Sequence, residues 1–272
     1  MPRRDLQLLL IVLAALVLAS CGTGGRNAKA GRVKSVEQIA PRYDIRDDTA
    51  TKQRMAQQEK LGLAFNRMQG GDYAAAEQLV REVLRKEPKS VDAYTILAVI
   101  QGSRGDATAA GESYRRAAEL APKQGDVLNN YGAWLCGNGY PAEALVWFDR
   151  AMADPRYGSP AAVLANSGGC ALQVGQTERG VRDLRKALEL DPANAYALES
   201  MARHEYAGHR YFEARAFSER RLAAAPASTS VLQLAIQIEQ GLGDKAAASR
   251  YQQRLSKEFP EGATANPGAN AL

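Results

Sequence analysis

The sequence predicts an all-α array of about six helix-turn-helix repeats, and three observations predict it. Small residues recur at Ala76, Ala110, Ala144, Gly180, Ala214 and Ala248, at spacings of 34, 34, 36, 34 and 34. Prolines keep the same rhythm at Pro88, Pro122, Pro155, Pro192, Pro226 and Pro260. A turn residue recurs at Gly71, Gly105, Gly139, Gly175, His209 and Gly243. A fixed period of this length marks a stack of supersecondary units, none of which buries its apolar face alone.

Each landmark has a physical reason. The recurring small residue falls early in the second helix of each unit, helix B, and lets the backbones of helices A and B approach. Ala98, Gly132, Gly168 and Ala202 of helix A are expected opposite it. The turn glycine takes the left-handed conformation that ends helix A. Proline ends helix B. Leu97, Tyr114, Leu135, Phe148, Leu184 and Leu188 are the expected core between units. The pattern resembles the tetratricopeptide repeat. The resemblance implies an all-α fold, a tetratricopeptide-repeat right-handed superhelix of about six helix-turn-helix repeats.

The repeats are expected at 57–90, 91–124, 125–160, 161–194, 195–228 and 229–262, within a repeat domain over 47–262. Asp47-Asp48 is placed to cap the first helix. In repeat one, Leu61-Gly62 matches the Leu-Gly of the repeat pattern. That register leaves two extra residues at Gln69-Gly70-Gly71, read as a longer turn. Repeat three carries two extra residues near Pro155-Arg156-Tyr157-Gly158. Arg221, Ile236 and Leu255 stand where small residues are usual, as in atypical capping units. Residues 263–272 read as a disordered tail.

The N-terminus carries a different signal. Arg3-Arg4, an apolar run from Leu6 to Val17 and the small residues before Cys21 make residues 1–20 a secretory signal peptide. The run is shorter than the ~20 residues of a spanning helix. Leu18-Ala19-Ser20-Cys21 resembles the lipobox of bacterial lipoproteins, which implies that Cys21 is lipidated and becomes the mature N-terminus. Residues 21–46 read as a flexible tether of about 25–30 Å span. Formal net charge is +5. The signal peptide holds Arg3, Arg4 and Asp5, a net +1, so the mature chain is +4. This mild excess suits an anionic membrane surface and gives no reason to expect nucleic acid as a partner. Lipid on Cys21 is the expected membrane link, through several acyl chains, since one alone binds marginally.

No catalytic chemistry emerges. His204-Glu205 and His209 invite a metalloprotease reading, but the histidines are five residues apart and the zinc motif needs four. Ser167-Gly168-Gly169 lacks the strand-turn-helix context of a nucleophile elbow. The expectation is no enzyme, cofactor, metal or small-molecule substrate. Trp134 and Trp147 fall in repeat three, buried by default, with one of them open to a partner role. Cys136 and Cys170 fall in neighbouring A helices. An oxidising compartment permits a disulfide if their Cα atoms lie within about 7 Å. Two buried free thiols are the other reading.

Helices A of such an array line its concave side, where peptides or extended segments bind. Groove positions, with Leu61-Gly62 as the register mark, are Leu63 and Asn66, then Thr95 and Val99, then Asn129 and Ala133. This face is weakly apolar and lacks a Lys/Arg cluster, which suits an apolar or amphipathic segment.

A more specific resemblance lies in Asn129-Asn130-Tyr131-Gly132-Ala133-Trp134-Leu135-Cys136. Ala144-Leu145, Phe148, the run Ala151–Tyr157, Asn166–Leu172 and Phe259-Pro260 extend it. Together with the lipobox, these resemble the PilF/PilW family of type IV pilus lipoproteins. The resemblance implies a pilotin at the periplasmic face of the bacterial outer membrane, monomeric before it binds the pilus secretin. Gly22 after the lipidated Cys fits outer-membrane delivery. The alternatives are a helical-repeat lipoprotein of outer-membrane protein assembly or a general periplasmic envelope scaffold.

Overall fold

Twelve α-helices occupy the described residues, 48–260, of the computed structural model. The signal peptide, Cys21, the tether and the 263–272 tail lie outside the described residues. The helices pair as six A/B hairpins: α1 (Thr49–Gln69) with α2 (Tyr73–Lys86), α3 (Val91–Ser103) with α4 (Ala107–Leu120), α5 (Gly125–Gly137) with α6 (Pro141–Met152), α7 (Pro160–Gln173) with α8 (Thr177–Leu190), α9 (Ala195–Ala207) with α10 (Tyr211–Ala224), and α11 (Thr229–Leu242) with α12 (Lys245–Glu258). Each B helix packs on the next A helix, which makes an all-α repeat superhelix. Contacts run between A helices of neighbouring repeats (α1–α3, α5–α7, α7–α9, α9–α11), with no comparable contact between successive B helices. The A helices therefore form the inner side.

Short polar side chains start many helices. Asp48, Asp72, Ser90, Asp106, Asn194, Ser228 and Asp244 each accept a hydrogen bond from a backbone N–H in the first turn, satisfying a donor that the helix itself leaves free. Pro141 and Pro160 start α6 and α7, where a missing N–H costs nothing.

The A-to-B turns repeat one geometry. Gly71, Gly105, Gly139, Gly175 and Gly243 have φ between 74° and 90°, and His209 takes φ 57° in the same place. In all six turns the following residue donates its N–H to the carbonyl five residues back at 2.9 Å, from Asp72 to Arg67 through to Asp244 to Glu239. This is the bond that closes a Schellman motif.

The expected longer turn in repeat one is corrected by this geometry. Residues 70–72 connect α1 to α2, the same length as 104–106 in repeat two. The small residue opposite Ala76 is Ala64, fully buried like Ala76 itself. Gly62 is exposed, with open space where a Cβ would sit. The Leu-Gly pair imitates the motif two residues too early, and the two "extra" residues vanish once Ala64 sets the register.

Elsewhere the small residues hold the backbones together. A Cβ on Gly168 would lie 2.9 Å from both the Gly180 carbonyl oxygen and the Leu184 nitrogen, and one on Gly132 would meet Phe148 at 2.7 Å. Phe148 and Leu184 are fully buried. In the last repeat Ile236 and Leu255 pack with Leu232 in a core of their own, so larger residues replace close approach. Arg221 donates to the carbonyls of Ala225 and Pro226 after α10.

Repeat three departs from the others in its closing loop, 153–159. There Asp154 accepts the Gly125 N–H at 2.9 Å and the Arg156 N–H at 3.0 Å. Gln124 gives α5 no side-chain cap, so the loop supplies one from 29 residues away. Tyr157 covers Gly125 so closely that a Cβ there would meet its ring at 2.8 Å.

Two stability predictions follow from this packing. Gly62→Ala stabilises the fold by about 0.5–1 kcal/mol, the ordinary helix gain of Ala over Gly. Gly168→Ala destabilises by roughly 1–3 kcal/mol through overpacking. Urea denaturation of both variants checks the opposed signs. The bonds from Gly125 and Arg156 hold the Asp154 carboxyl below its ordinary pKa. A lowered folded-state pKa gives stability that is present above the ordinary value and lost as pH falls through the lowered one. The melting-temperature gap between wild type and Asp154→Asn is therefore full at pH 7 and closes as pH falls below the ordinary carboxylate pKa of about 4.

Candidate functional site

Register decides which side chains face a partner. With Ala64 aligned to Ala98 and Gly132, Leu63 becomes the counterpart of Leu97, Tyr131, Ser167, Met201 and Ala235. Those five are at most 6% exposed, and Leu97 shares a core with Leu61, Val80 and Val83 of the preceding repeat. Asn66 is the counterpart of Ile100, Cys170 and Ile238, which are fully buried, and of Trp134 and His204, which are half-buried. Among the described residues no repeat precedes α1, so Leu63 is 45% exposed and Asn66 is exposed. Leu63 and Asn66 therefore lie on the open end of the array and not on the groove line where the sequence placed them.

The groove positions of α1 are Leu61, Phe65 and Met68. Leu61 is buried, Met68 half-buried and Phe65 45% exposed. Sequence reasoning missed Phe65. The turn glycine Gly71 and Ala76, counted back by one period, carry the signal that finds it. Met55, 56% exposed, lies further along the same helix. Met55, Leu63 and Phe65 are thus three large apolar side chains exposed on α1 among polar neighbours, with Leu63 toward the open end and Phe65, about 160° away around the helix, toward the inner face. Lys60 of the same helix pairs with Glu82 at 2.7 Å, holding the Glu82 carboxyl below its ordinary pKa.

The inner face continues through α3 and α5. Thr95 and Val99 are half-buried on α3, and the Thr95 hydroxyl donates to the Val91 carbonyl of its own helix. Ala133 is half-buried on α5. Asn129 is buried, and its Oδ1 accepts the Asn166 Nδ2–H at 2.9 Å, tying α5 to α7. That side chain joins repeats more than it faces a partner. Farther along, the equivalents of Phe65 and Val99 are Gly169, Arg203 and Gln237, so the inner face changes from apolar to polar toward the C-terminal repeats. The final helix exposes Lys245, Ser249, Arg250, Gln252, Gln253 and Ser256. The last helix thus ends the described array on polar side chains, whereas α1 exposes three large apolar ones among its polar residues.

Cys136 and Cys170 are bonded in the structure, their Cα atoms 5.9 Å apart, and link α5 to α7 beside the Asn129–Asn166 pair. Trp134 and Trp147 flank Tyr131. Trp147 meets it edge-on at 4.8 Å, and the Arg150 guanidinium lies over the Trp147 ring at 4.2 Å. His204 and His209 both lie near Arg210 and Tyr211, and among the described residues no cluster of His, Cys, Asp or Glu could hold a metal ion. Nor is any described helix long and apolar enough to cross a membrane.

The fold and its surface define a tetratricopeptide-repeat scaffold, and tetratricopeptide-repeat family models match residues 61–125 and 161–194. The chain is 27% identical over 201 residues to the type IV pilus assembly protein PilF of Pseudomonas aeruginosa, covering 74% of this chain and 79% of that protein. The crystal structure of PilW, described as a widely conserved type IV pilus biogenesis factor, matches with TM-score 0.68 and 29% identity, over 75% of this chain and 94% of PilW. A solved structure of Pseudomonas aeruginosa PilF matches with TM-score 0.66 and 25% identity, over 77% of this chain and 94% of that one. The chain is a homologue of PilF and PilW, tetratricopeptide-repeat proteins of type IV pilus biogenesis.

Closing a loop of this length with a disulfide contributes about 3–4 kcal/mol in the chain-entropy account. The sequence separation is 34 residues. Cys136→Ser, or reduction of the wild type, is expected to lower unfolding stability by that amount, measured by urea denaturation with and without reductant.

Proposed function

We propose that this protein is an outer-membrane lipoprotein of type IV pilus biogenesis, acting as a pilotin. Lipid on Cys21 delivers it to the periplasmic face of that membrane and anchors it there. The repeat domain binds a segment of the pilus secretin and promotes secretin localisation and multimerisation. It catalyses nothing and uses no cofactor. Homology to PilF and PilW supports the pilus assignment.

The observation that carries the binding reading is the exposed apolar surface of α1. Met55, Leu63 and Phe65 are exposed on the first described helix, which no described repeat precedes. Leu63 in particular is exposed at a position that every later repeat buries. An amphipathic secretin segment laid along α1 would cover Leu63 as a preceding repeat covers Leu97, and would reach Phe65 and Val99 on the inner face. The polar C-terminal end offers no such surface.

A deletion strain complemented with variants tests this. Leu63→Glu with Phe65→Glu leaves the fold intact, by circular dichroism, and replaces heat-stable secretin multimers with monomers. Cys21→Ser leaves multimers in the inner membrane. Normal secretin in the deletion strain would discard the pilotin reading. A general loss of outer-membrane proteins would favour the assembly-machinery alternative.

A further inference from the structure

Away from α1, three aromatic rings line one groove at the turn edge of repeats two and three. Tyr131 and Trp134 have centroids 6.2 Å apart and planes 13° from parallel. Trp134 and Tyr140 are 6.4 Å apart and 19° from parallel. Trp134 is the middle ring. The groove has a volume of about 360 Å³, and Glu112 and Arg115 of α4 form its far wall.

The rings are held in place. The Trp134 indole lies against Gly111, where a Cβ would meet it at 2.3 Å, so no other residue fits beneath it. Trp147 supports Tyr131 from its edge. Tyr140 precedes Pro141 at the start of α6 and is nonetheless 55% exposed. Packing of the repeats accounts for Gly111 and Trp134. It does not account for a large ring left in water beside them.

We propose that this groove docks an extended, proline-rich protein segment that carries a basic residue. The polyproline II helix rises ~3.1 Å per residue, so two residues advance ~6.2 Å, the spacing of these rings. Aromatic-lined grooves accept such segments because the ligand is already ordered before it binds. A cage for a free cation would need rings that face a common point, and parallel rings do not.

Charge identifies the basic residue. Arg115 is engaged by Glu119. Glu112 has no ion-pair partner among the described residues, and neither has Glu143, whose charge adds to burial in raising the Tyr131 pKa. Glu112 therefore gives the groove wall an acidic charge that a ligand Lys or Arg would meet, with Glu143 outside the lining. The Trp134 Nε1–H is buried and has no acceptor. A polyproline II backbone keeps its carbonyls free to accept hydrogen bonds from donors such as this one. The inference does not depend on the pilotin reading, because α1 takes no part in the site.

Nuclear magnetic resonance of the two indole N–H signals tests the proposal on the folded repeat domain within the full chain. The probe is a twelve-residue peptide with two x-Pro pairs and a flanking Arg. Controls are the same peptide with Ala for Pro and an N-acetylglucosamine tetramer. The Trp134 signal is expected to shift saturably with the proline peptide and the Trp147 signal to stay. Tyr140→Ala, a change at an exposed ring, is expected to weaken binding about tenfold. Glu112→Gln is expected to weaken it at low salt and flatten its salt dependence. Equal binding of the Ala peptide, binding of the tetramer alone, or no saturable shift at millimolar peptide overturns the proposal.

Discussion

Two helix backbones meet at one point in each of the first five repeats, and the rest of the structure depends on that approach. Gly168 faces Gly180 and Leu184 with no room for a single added carbon. Ala64 and Ala76 make the equivalent contact in repeat one, both fully buried. Fixing the A/B hairpin this closely leaves the larger side chains to face outward, toward the next hairpin. They have nowhere to go except against a neighbour. Stacking is then the route by which each unit buries its apolar surface.

A stack built this way has ends. Position by position, what repeat two hides with repeat one's help, repeat one leaves open. Leu97 is buried and Leu63 is not, although both occupy the same place in their units. The C-terminal end solves the problem with polar residues, from Lys245 to Ser256 along the last helix. Among the described residues the N-terminal end keeps Leu63 exposed. The inner face follows the same gradient, from Phe65 and Val99 to Arg203 and Gln237. Apolar side chains left exposed at the described N-terminal end are the property that the proposed secretin-binding scaffold would use.

The periodic part of this was legible in the sequence. Turn glycines, helix-ending prolines and recurring small residues are local requirements repeated six times, so one imperfect copy does not hide them. His209 shows the strength of the signal: a non-glycine residue holds φ 57° because the other constraints of the turn remain. Single-copy features were less legible. Leu61-Gly62 looked like the repeat motif, and trusting that dipeptide over the period placed Leu63 and Asn66 on the wrong face and missed Phe65. The Asp154 cap on Gly125 joins residues 29 apart, at an insertion unique to repeat three among those described, and no period points to it. The aromatic row was invisible for the same reason. Tyr131 and Trp134 share a helix, but Tyr140 joins them only through the turn.

Site-specific photocrosslinking in cells tests the central claim most directly, with the photoreactive residue placed at position 63 or 65 and, as a control, at position 249. The account predicts secretin adducts from positions 63 and 65 and none from position 249. Adducts from position 249 alone, or adducts from position 63 to an envelope protein other than secretin, would contradict it.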